Sequence, residues 1–180
     1  MAEQDSGTAG NGSGLADSDA GAAGAGAAET GAQFSVLTQY IKDLSVENPN
    51  APQVFQWDAQ PALDVQFSLN AQKVADEVHE VAVKIDVTAR SDNGVHFVVD
   101  LTYAGLFGAR NVPDDALGPV LLIEAPRLLF PFARQVVCEA VTSTGFPPLL
   151  LDPIDFAAAY VAQMQAQQGA LAGAEPQGQA

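Results

Sequence analysis

Three segments of the chain alternate apolar and polar side chains, and this alternation limits the fold more than any other feature. Their apolar positions are Leu63, Val65, Phe67 and Leu69; Val81, Val83, Ile85, Val87 and Ala89; and Val95, Phe97, Val99, Leu101 and Tyr103. A period of two is typical of strands that bury one face. Between the second and third segments lies Asn93-Gly94, a dipeptide that favours the positive φ angles of a tight hairpin. The sequence therefore predicts an antiparallel pair there.

The chain before these strands predicts a fourth strand and an irregular crossing. From Phe34 the segment could begin as helix or as extended chain, and it becomes extended by Leu44–Glu47. Pro49 and Pro52 then disfavour both helix and ladder pairing. With the 43–47 region included, we expect about four antiparallel strands with one apolar and one polar face.

Two helical patterns follow the strands. The first spans Pro126–Thr144, with Pro131 early in it, and carries two apolar stripes: Leu129, Phe132, Ala133, Val136 and Ala140, and Phe130, Val137 and Val141. A helix that faces only a sheet needs one stripe, so the excess indicates contact with the sheet and with another subunit. The fold class predicted is α+β, with a four-stranded antiparallel sheet and two C-terminal helices.

The boundaries of the helices have their own signals. The stretch Ala104–Pro119 is rich in Gly and Pro and predicts a loop, with a short helical turn opening after Pro113. Gly145 is suited to end the first helix. Asp155 is suited to cap the second, which we expect from Phe156 to about residue 167.

Charge and low-complexity sequence divide the chain into three parts. Residues 1–32 are mostly Gly and Ala with five acids and no base, and residues 169–180 are similar in kind. Both predict disordered tails around one domain at 33–168, because they bury too little apolar surface to offset ordering. The domain holds 16 acids and all seven bases. Such acidity disfavours nucleic acid and is compatible with a basic partner.

Patterns for catalysis and metal binding are missing from the sequence. It has no phosphate-binding lysine loop, no GxSxG elbow and no Cys/His metal spacing, so we expect no catalytic residue, no metal and no cofactor. His79 and His96 are expected to be solvated strand residues. The Asp114-Asp115 pair is expected to start a helical turn rather than bind magnesium. Cys138, the only cysteine, is expected to be buried and inert.

Sorting signals are equally sparse. No apolar run approaches the roughly 18 residues of a membrane span, and the N-terminal stretch lacks the charged and apolar regions of a signal peptide. We therefore expect a cytoplasmic protein without direct membrane insertion.

Two blocks of the sequence resemble the SecB family of export chaperones. Asn50–Pro61 reads NAPQVFQWDAQP, and Ala125–Gln163 joins the two helical patterns through Gly-Phe-Pro-Pro. The blocks stand in the family's order and at its approximate spacing, and the likeness covers roughly Phe34 to Gln168. The resemblance implies an ATP-independent cytosolic chaperone that binds unfolded preproteins, passes them to the SecA ATPase, and assembles as a homotetramer, a dimer of dimers.

The resemblance also implies three groups of site residues. The SecA contact would fall on the acidic sheet face at Asp43, Glu47, Val98 and Asp100, where the family commonly has Leu at the third position and Glu at the fourth. The client groove would include Tyr40, Phe55, Trp57, Phe107, Phe156 and Tyr160. The oligomer interface would include Val99, Leu101, Tyr103, Val136, Val137 and Ala140. The nearly uncharged C-terminal tail implies only a weak further SecA contact.

The sequence leaves several alternatives open. The polar sheet face could simply be solvated, and Phe55 and Trp57 could simply be core. A general holdase, or a chaperone dedicated to another system such as an antitoxin, would share the groove without needing the acidic face. A small-molecule-binding or enzymatic domain would need a closed pocket with perturbed titratable groups, which no constellation in the sequence suggests.

Overall fold

A four-stranded antiparallel sheet forms the centre of the computed structural model, which describes residues 31–172. Its strands are β1 (Gln33–Glu47), β2 (Ala62–Ala75), β3 (Val78–Ser91) and β4 (Gly94–Arg110), in the spatial order β1-β4-β3-β2. Strands β3 and β4 pair across Asn93-Gly94, and Gly94 has a φ of 138°. The predicted hairpin and the four-stranded sheet are confirmed.

One long helix and a second shorter one follow the sheet. Helix α1 (Asp114–Pro119), a π-helical turn (Val120–Glu124) and α2 (Ala125–Ser143) form a continuous helix of 30 residues. Helix α3 spans Phe156–Ala172, and a short 3₁₀ turn (Gln53–Gln56) lies in the crossing from β1 to β2. The helix-boundary signals act as predicted. Gly145 has a φ of 89°, and Asp155 Oδ1 accepts a hydrogen bond of 3.0 Å from the backbone N–H of Ala158.

The core lies between α2 and the two central strands. Helix α2 is buried along one face at Leu129, Ala133, Val137 and Val141. The regular spacing of four residues places these side chains on one side of the helix. They pack over fully buried residues of β3 and β4, among them Val83, Ile85, Val87, Val99 and Leu101.

The continuous helix is also long and apolar enough to cross a membrane, with a mean hydropathy of 1.4, which inspection of uninterrupted apolar runs did not show. Core helices share that length and composition, and this one packs against its own sheet.

Strand β1 is longer than the sequence predicted. The segment is extended from Gln33, not only from Leu44. Its pairing with β4 shifts register between Val36 and Thr38 and again between Ile41 and Asp43. Each shift changes which residues face which side, so β1 lacks the regular alternation that marks the other strands.

The predicted loop at Ala104–Pro119 is wrong over most of its length, because β4 continues to Arg110 and α1 begins at Asp114. Gly105 shows the reason. A Cβ at this position would lie 2.8 Å from Leu129 Cδ2 of α2. The glycine therefore admits the close approach of a helix to an unbroken strand, whereas in the sequence it looks like a turn residue.

The two predicted tails lie mostly outside the described residues, at 1–30 and 173–180. Within the described part, α3 continues through Ala172, past the predicted start of the C-terminal tail at 169. Cys138 on α2 is half-buried.

Candidate functional site: an apolar groove and a charged outer face

The inner face of the sheet is covered unevenly. Helix α2 packs on β4 and β3, whereas β2 lies at the sheet edge, where Leu63 and Val65 stay 48% and 44% exposed. Across from them runs the segment at 146–155, which joins α2 to α3. Between this segment and β2 lies a series of clefts, which we call the β2 groove.

The first cleft of the β2 groove is lined by aromatic side chains and has a volume of about 510 Å³. Trp57 meets His96 edge to face, with ring centroids 5.0 Å apart. Phe146 joins them from the end of α2, at 5.5 Å from Phe55 and 5.1 Å from Phe97. Three segments distant in sequence thus build one aromatic wall, and Phe55 remains exposed on it.

Two asparagines hold this aromatic end together. Asn50 Nδ2 donates to the carbonyl of Val95 on β4 at 2.9 Å, and Asn48 Nδ2 donates to the carbonyl of Thr144 at 3.3 Å. These bonds attach the crossing to both its neighbours, because buried carbonyls need a donor. The Asn of the Asn-Ala-Pro block therefore has a local structural role.

His96 belongs to the aromatic end, and the expectation that it is a solvated residue is wrong. In the pairing of β3 with β4, Ala89 stands opposite Phe97 and Arg90 opposite Val95, so His96 is left out of the register. This bulge turns the ring inward, where it is buried and lies 2.8 Å from Ser91 Oγ through Nε2.

His79 is buried as well, contrary to the same expectation. Its burial, together with the nearby charge of Lys73, lowers the pKa of the imidazole below its usual range. Within residues 31–172, no group of three or more His, Cys, Asp and Glu side chains is arranged to hold a metal ion.

The rest of the groove is aliphatic. A cleft of about 430 Å³ lies between β2, at Leu63, Val65 and Phe67, and the segment at 149–154. A third, of about 290 Å³, is lined by Phe67, Leu69, Leu122 and Tyr160. Neighbouring clefts share Leu63, Leu149 or Phe67, so together they form one groove along β2.

The segment at 146–155 forms one wall of the groove and is held by few contacts. Arg134 of α2 donates to the carbonyl of Leu151 at 3.2 Å. Leu149, Leu151 and Ile154 pack against the core, while Leu150 projects outward and is 69% exposed. The wall is therefore anchored mainly by side chains rather than by a backbone ladder.

The structure brings together only some of the predicted groove residues. Phe55, Trp57 and Tyr160 line the groove. Phe156 lies beneath it, packed on Phe67 and Phe130 with ring centroids 5.6 and 5.9 Å away.

Two of the predicted groove residues lie elsewhere. Phe107 is fully buried and stacks on Phe34, so it does not reach the groove. Tyr40 lies on the opposite face of the sheet, where it bonds to Glu80.

Sequence reasoning missed most of the lining. Leu63, Val65, Phe146 and Leu149 were absent from the predicted groove. The alternation did place Leu63 and Val65 on the apolar face. Apolar residues on an edge strand would have indicated the groove lining, because a helix packed on the centre of a sheet leaves the edge strand uncovered.

The other face of the sheet, which we call the outer face, carries charged side chains. All four predicted SecA-contact residues lie on it. Glu47 of β1 pairs with Val98 of β4. Two residues further along the ladder Asp100 pairs with Ser45, and two residues further again Asp43 pairs with Thr102. Asp43 and Glu47 are exposed, and Val98 and Asp100 are half-buried, so the structure brings this predicted set together.

Lys84 lies between two acids of the outer face, Asp86 and Asp100. Lys84 Nζ of β3 lies 3.1 Å from Asp86 Oδ1 and 3.0 Å from Asp100 Oδ2. The hydrogen bond to Asp100, with that to Asp86, raises the pKa of the Lys84 ammonium. The lysine therefore stays charged under ordinary conditions.

A second charged group lies at the other end of the outer face, around Glu80. This buried carboxylate accepts hydrogen bonds from Lys42, Tyr40 and Gln72, the last at 2.9 Å. The bonds from Lys42 and Tyr40 lower the pKa of Glu80. The bond to Glu80, with burial, raises the pKa of Tyr40 to about 12. Strand β1 is thereby joined to β3 and β2 by side chains.

The predicted oligomer interface needs correction. Val99, Leu101, Tyr103 and Val137 are buried in the protomer's own core, between sheet and helix, so they are not available to another subunit. Val136 and Ala140 are half-buried.

The side of α2 that faces away from the sheet carries an exposed apolar surface, as expected for contact with another subunit. Leu128 and Phe132, at four-residue spacing in line with Val136 and Ala140, are 44% and 49% exposed. This ridge, 128-132-136-140, differs from both predicted stripes, because Leu129 and Ala133 of the first stripe lie instead on the buried face with Val137 and Val141.

The sheet topology agrees with the comparisons to known proteins. A model of the family described as preprotein translocase subunit SecB matches residues 27–167. The protein belongs to the SecB family. A protein-export protein SecB from Sphingopyxis alaskensis is 56% identical over 153 residues, covering 84% of this chain and 89% of its own length. One from Zymomonas mobilis is 55% identical over 148 residues, covering 82% and 90%.

A solved structure shows the same fold at low sequence identity. It is a SecB-like chaperone from Mycobacterium tuberculosis in complex with a peptide from an antitoxin. The two chains share 15% identity with a TM-score of 0.56, over 67% of this chain and 90% of the other. Membership of the SecB family makes this protein a protein-export chaperone, as the resemblance implied.

Proposed function

We propose that this SecB-family protein binds unfolded preproteins along the β2 groove and presents them to SecA through its outer face. The observation that carries the proposal is the groove itself. It is a continuous, largely apolar channel that the protein's own helices leave open along an edge strand. An export chaperone needs such a surface, because its clients expose the apolar side chains that their own folding would bury.

Binding in this groove would depend on side-chain burial rather than on sequence. Each buried methylene contributes about 0.8 kcal/mol, so single contacts are weak and many are needed. A client wrapped over several grooves of an oligomer gains affinity through effective concentration. No ATP-binding motif occurs in the sequence, so release falls to the partner and the protein itself carries out no catalytic step.

Two exposed apolar surfaces support assembly into a dimer of dimers. One is the ridge 128-132-136-140 on α2. The other is edge strand β1, where Leu37 and Ile41 stay exposed. Exposed apolar ridges and unpaired edges mark interfaces, and a closed tetramer covers both. We place this assembly in the cytoplasm, where preproteins await export.

The experiment that tests client binding is the solution mass at micromolar concentration, with and without an unfolded preprotein. We expect a tetramer that takes up the preprotein into a defined complex. A monomer that ignores the preprotein would overturn the proposal.

SecA docking is tested by replacing Asp43, Glu47 and Asp100 together by Ala in the full chain. We expect weaker SecA binding with unchanged client affinity, because the substitutions lie on the face opposite the groove. Unchanged SecA affinity would instead favour a general holdase or a chaperone dedicated to another system. Asp76→Ala is the control, since this exposed acid lies in the turn between β2 and β3 and pairs with Lys73 rather than with the proposed SecA-contact residues.

A further inference from the structure

The outer face contains an unfavourable pair of like charges at its centre. Asp86 of β3 and Asp100 of β4 stand directly opposite each other in the register. Carboxylates at opposed positions repel each other and destabilise the pairing of their strands. Something must offset this repulsion for the two acids to remain adjacent on a half-exposed surface.

Lys84 supplies the offset. It lies two residues before Asp86 on the same strand and diagonal to Asp100, and its ammonium reaches both carboxylates at about 3 Å. Diagonal positions on neighbouring strands are within reach of a long side chain. The lysine thus takes the position between the acids that a cation from outside would otherwise take.

Asp100 depends on this lysine. Its Oδ2 is 3.0 Å from Lys84 Nζ, and its Oδ1 is shielded from solvent without a hydrogen-bond partner in the described part of the chain. The other lysine of this face, Lys42, is engaged by Glu80 at the far end. Lys84 is therefore the base that governs how strongly the Asp86–Asp100 pair attracts a cationic partner.

We propose that Lys84 is a specificity-determining residue of the outer face, because it occupies the carboxylates that a basic surface of SecA must engage. The inference rests on the docking role proposed above for this face. A partner that offers arginines or lysines in the right arrangement replaces Lys84 at Asp86 and Asp100. A partner with scattered positive charge meets a local cation first and is repelled.

The competition has a direct consequence for affinity. Lys84 holds the attraction of the face below the value that its acids alone would produce, which keeps docking reversible. Removal of the positive charge leaves two opposed carboxylates without an internal cation. Their pull on a basic partner then rises, and so does the dependence of binding on salt.

The test compares SecA binding by the unchanged full chain with binding by Lys84→Met, which keeps the apolar stem and removes the charge. At about 50 mM salt we expect binding about fivefold tighter, with a steeper loss of affinity as salt rises, as for partly exposed ion pairs. Lys84→Arg should bind like the unchanged chain. Lys73→Met, which alters net charge equally at the end of β2, should change affinity less than about twofold.

The outcomes separate this inference from the docking proposal. If the unchanged chain binds SecA and Lys84→Met binds equally or more weakly, Lys84 does not compete with the partner and the inference is overturned. If the unchanged chain binds clients but not SecA, the docking proposal falls and takes the inference with it. Lys84→Gln repeats the measurement if the Met variant shows a lowered thermal midpoint.

Discussion

The β2 groove and the outer face belong to opposite sides of the same sheet, yet they are built on different principles. The groove exists because α2 covers the central strands and leaves part of edge strand β2 uncovered, where Leu63 and Val65 are half-exposed. The outer face lacks any covering helix among the described elements, and it holds its charges in place by ion pairs such as Lys84–Asp100. One surface is defined by incomplete packing, the other by charge placement.

This difference predicts that the two surfaces respond to different perturbations. Apolar burial is short-ranged and insensitive to salt, whereas attraction between charges at a surface is screened over about 8–10 Å. A substitution in the groove should therefore alter client binding alone. A substitution of an outer-face acid should alter SecA docking alone, unless the acid also supports the fold.

The largest effect is expected from Leu63→Glu, which places a charge in the middle of the groove where the aromatic and aliphatic clefts meet. Loss of about 2 kcal/mol of apolar contact corresponds to client binding roughly thirtyfold weaker. Titration of a labelled unfolded preprotein measures it. Asp64→Glu, the neighbouring position on the other face, is the control and should bind clients normally. Weakened SecA docking by Leu63→Glu would break the separation of the two surfaces.

Glu80→Gln should lower stability, since Lys42 and Tyr40 lose the charge that they bond. At neutral pH we expect unfolding to become easier by about 1–3 kcal/mol, measured by urea titration. The folded-state pKa of Glu80 is lowered, so its stabilisation is present above the usual carboxyl pKa near 4.5 and is lost as pH falls below it. The variant and the unchanged chain should therefore converge in acid. A difference that persists below the lowered pKa would contradict this account.

Asp100→Asn should have a smaller effect, on docking alone. We expect SecA binding about fivefold weaker with an unchanged urea midpoint, because the Lys84–Asp100 ion pair is partly exposed and such pairs contribute little to folding. Together with Glu80→Gln it divides the outer face into an acid that supports the sheet and an acid that recognises a partner. If Asp100→Asn unfolded more easily than Glu80→Gln, that division would be wrong.

Salt should produce the smallest change and needs no substitution. Between about 50 and 300 mM salt we expect SecA binding to weaken severalfold and client binding to stay within about twofold, as screening acts on exposed charges. Parallel titrations of both partners measure it. An equal loss for clients would show that charge, rather than apolar burial, holds them.

The sheet could be predicted from the sequence wherever the alternation was unbroken. β3 and β4 followed from their apolar residues and from the Asn93-Gly94 turn. β1 was recognised only in part, because its two register shifts mix the residues that face each side. The end of β4 was missed because Gly105 serves the approach of Leu129 rather than a turn. A local sequence pattern predicts only local backbone geometry. The register shifts of β1 and the role of Gly105 depend on contacts with residues distant in sequence.

The same limit applies to the surfaces. Asp43 and Glu47 were assigned to the outer face through the SecB resemblance, because β1 lacks regular alternation, whereas Asp100 could be placed there from the alternation of its own strand. The burial of His96 could not be predicted in this way, because a bulge in β4 turns its side chain to the inner face of the sheet. Val99 and Leu101 were apolar enough for an interface, but whether their own helix covers them depends on packing that a strand pattern does not contain.

The aromatic end of the groove has a consequence for synthesis on the ribosome. Asn48 bonds to Thr144, 96 residues later, and Trp57, His96 and Phe146 must all be present to form the wall. A nascent chain that has not yet emerged past Phe146 has no such wall, because contacts this distant form only after the intervening chain is complete. While it is being made, the chain is itself an unfolded polypeptide that exposes apolar side chains. The groove that could bind such side chains is completed only after Phe146 has emerged, so the nascent chain cannot bind its own unfolded segments there.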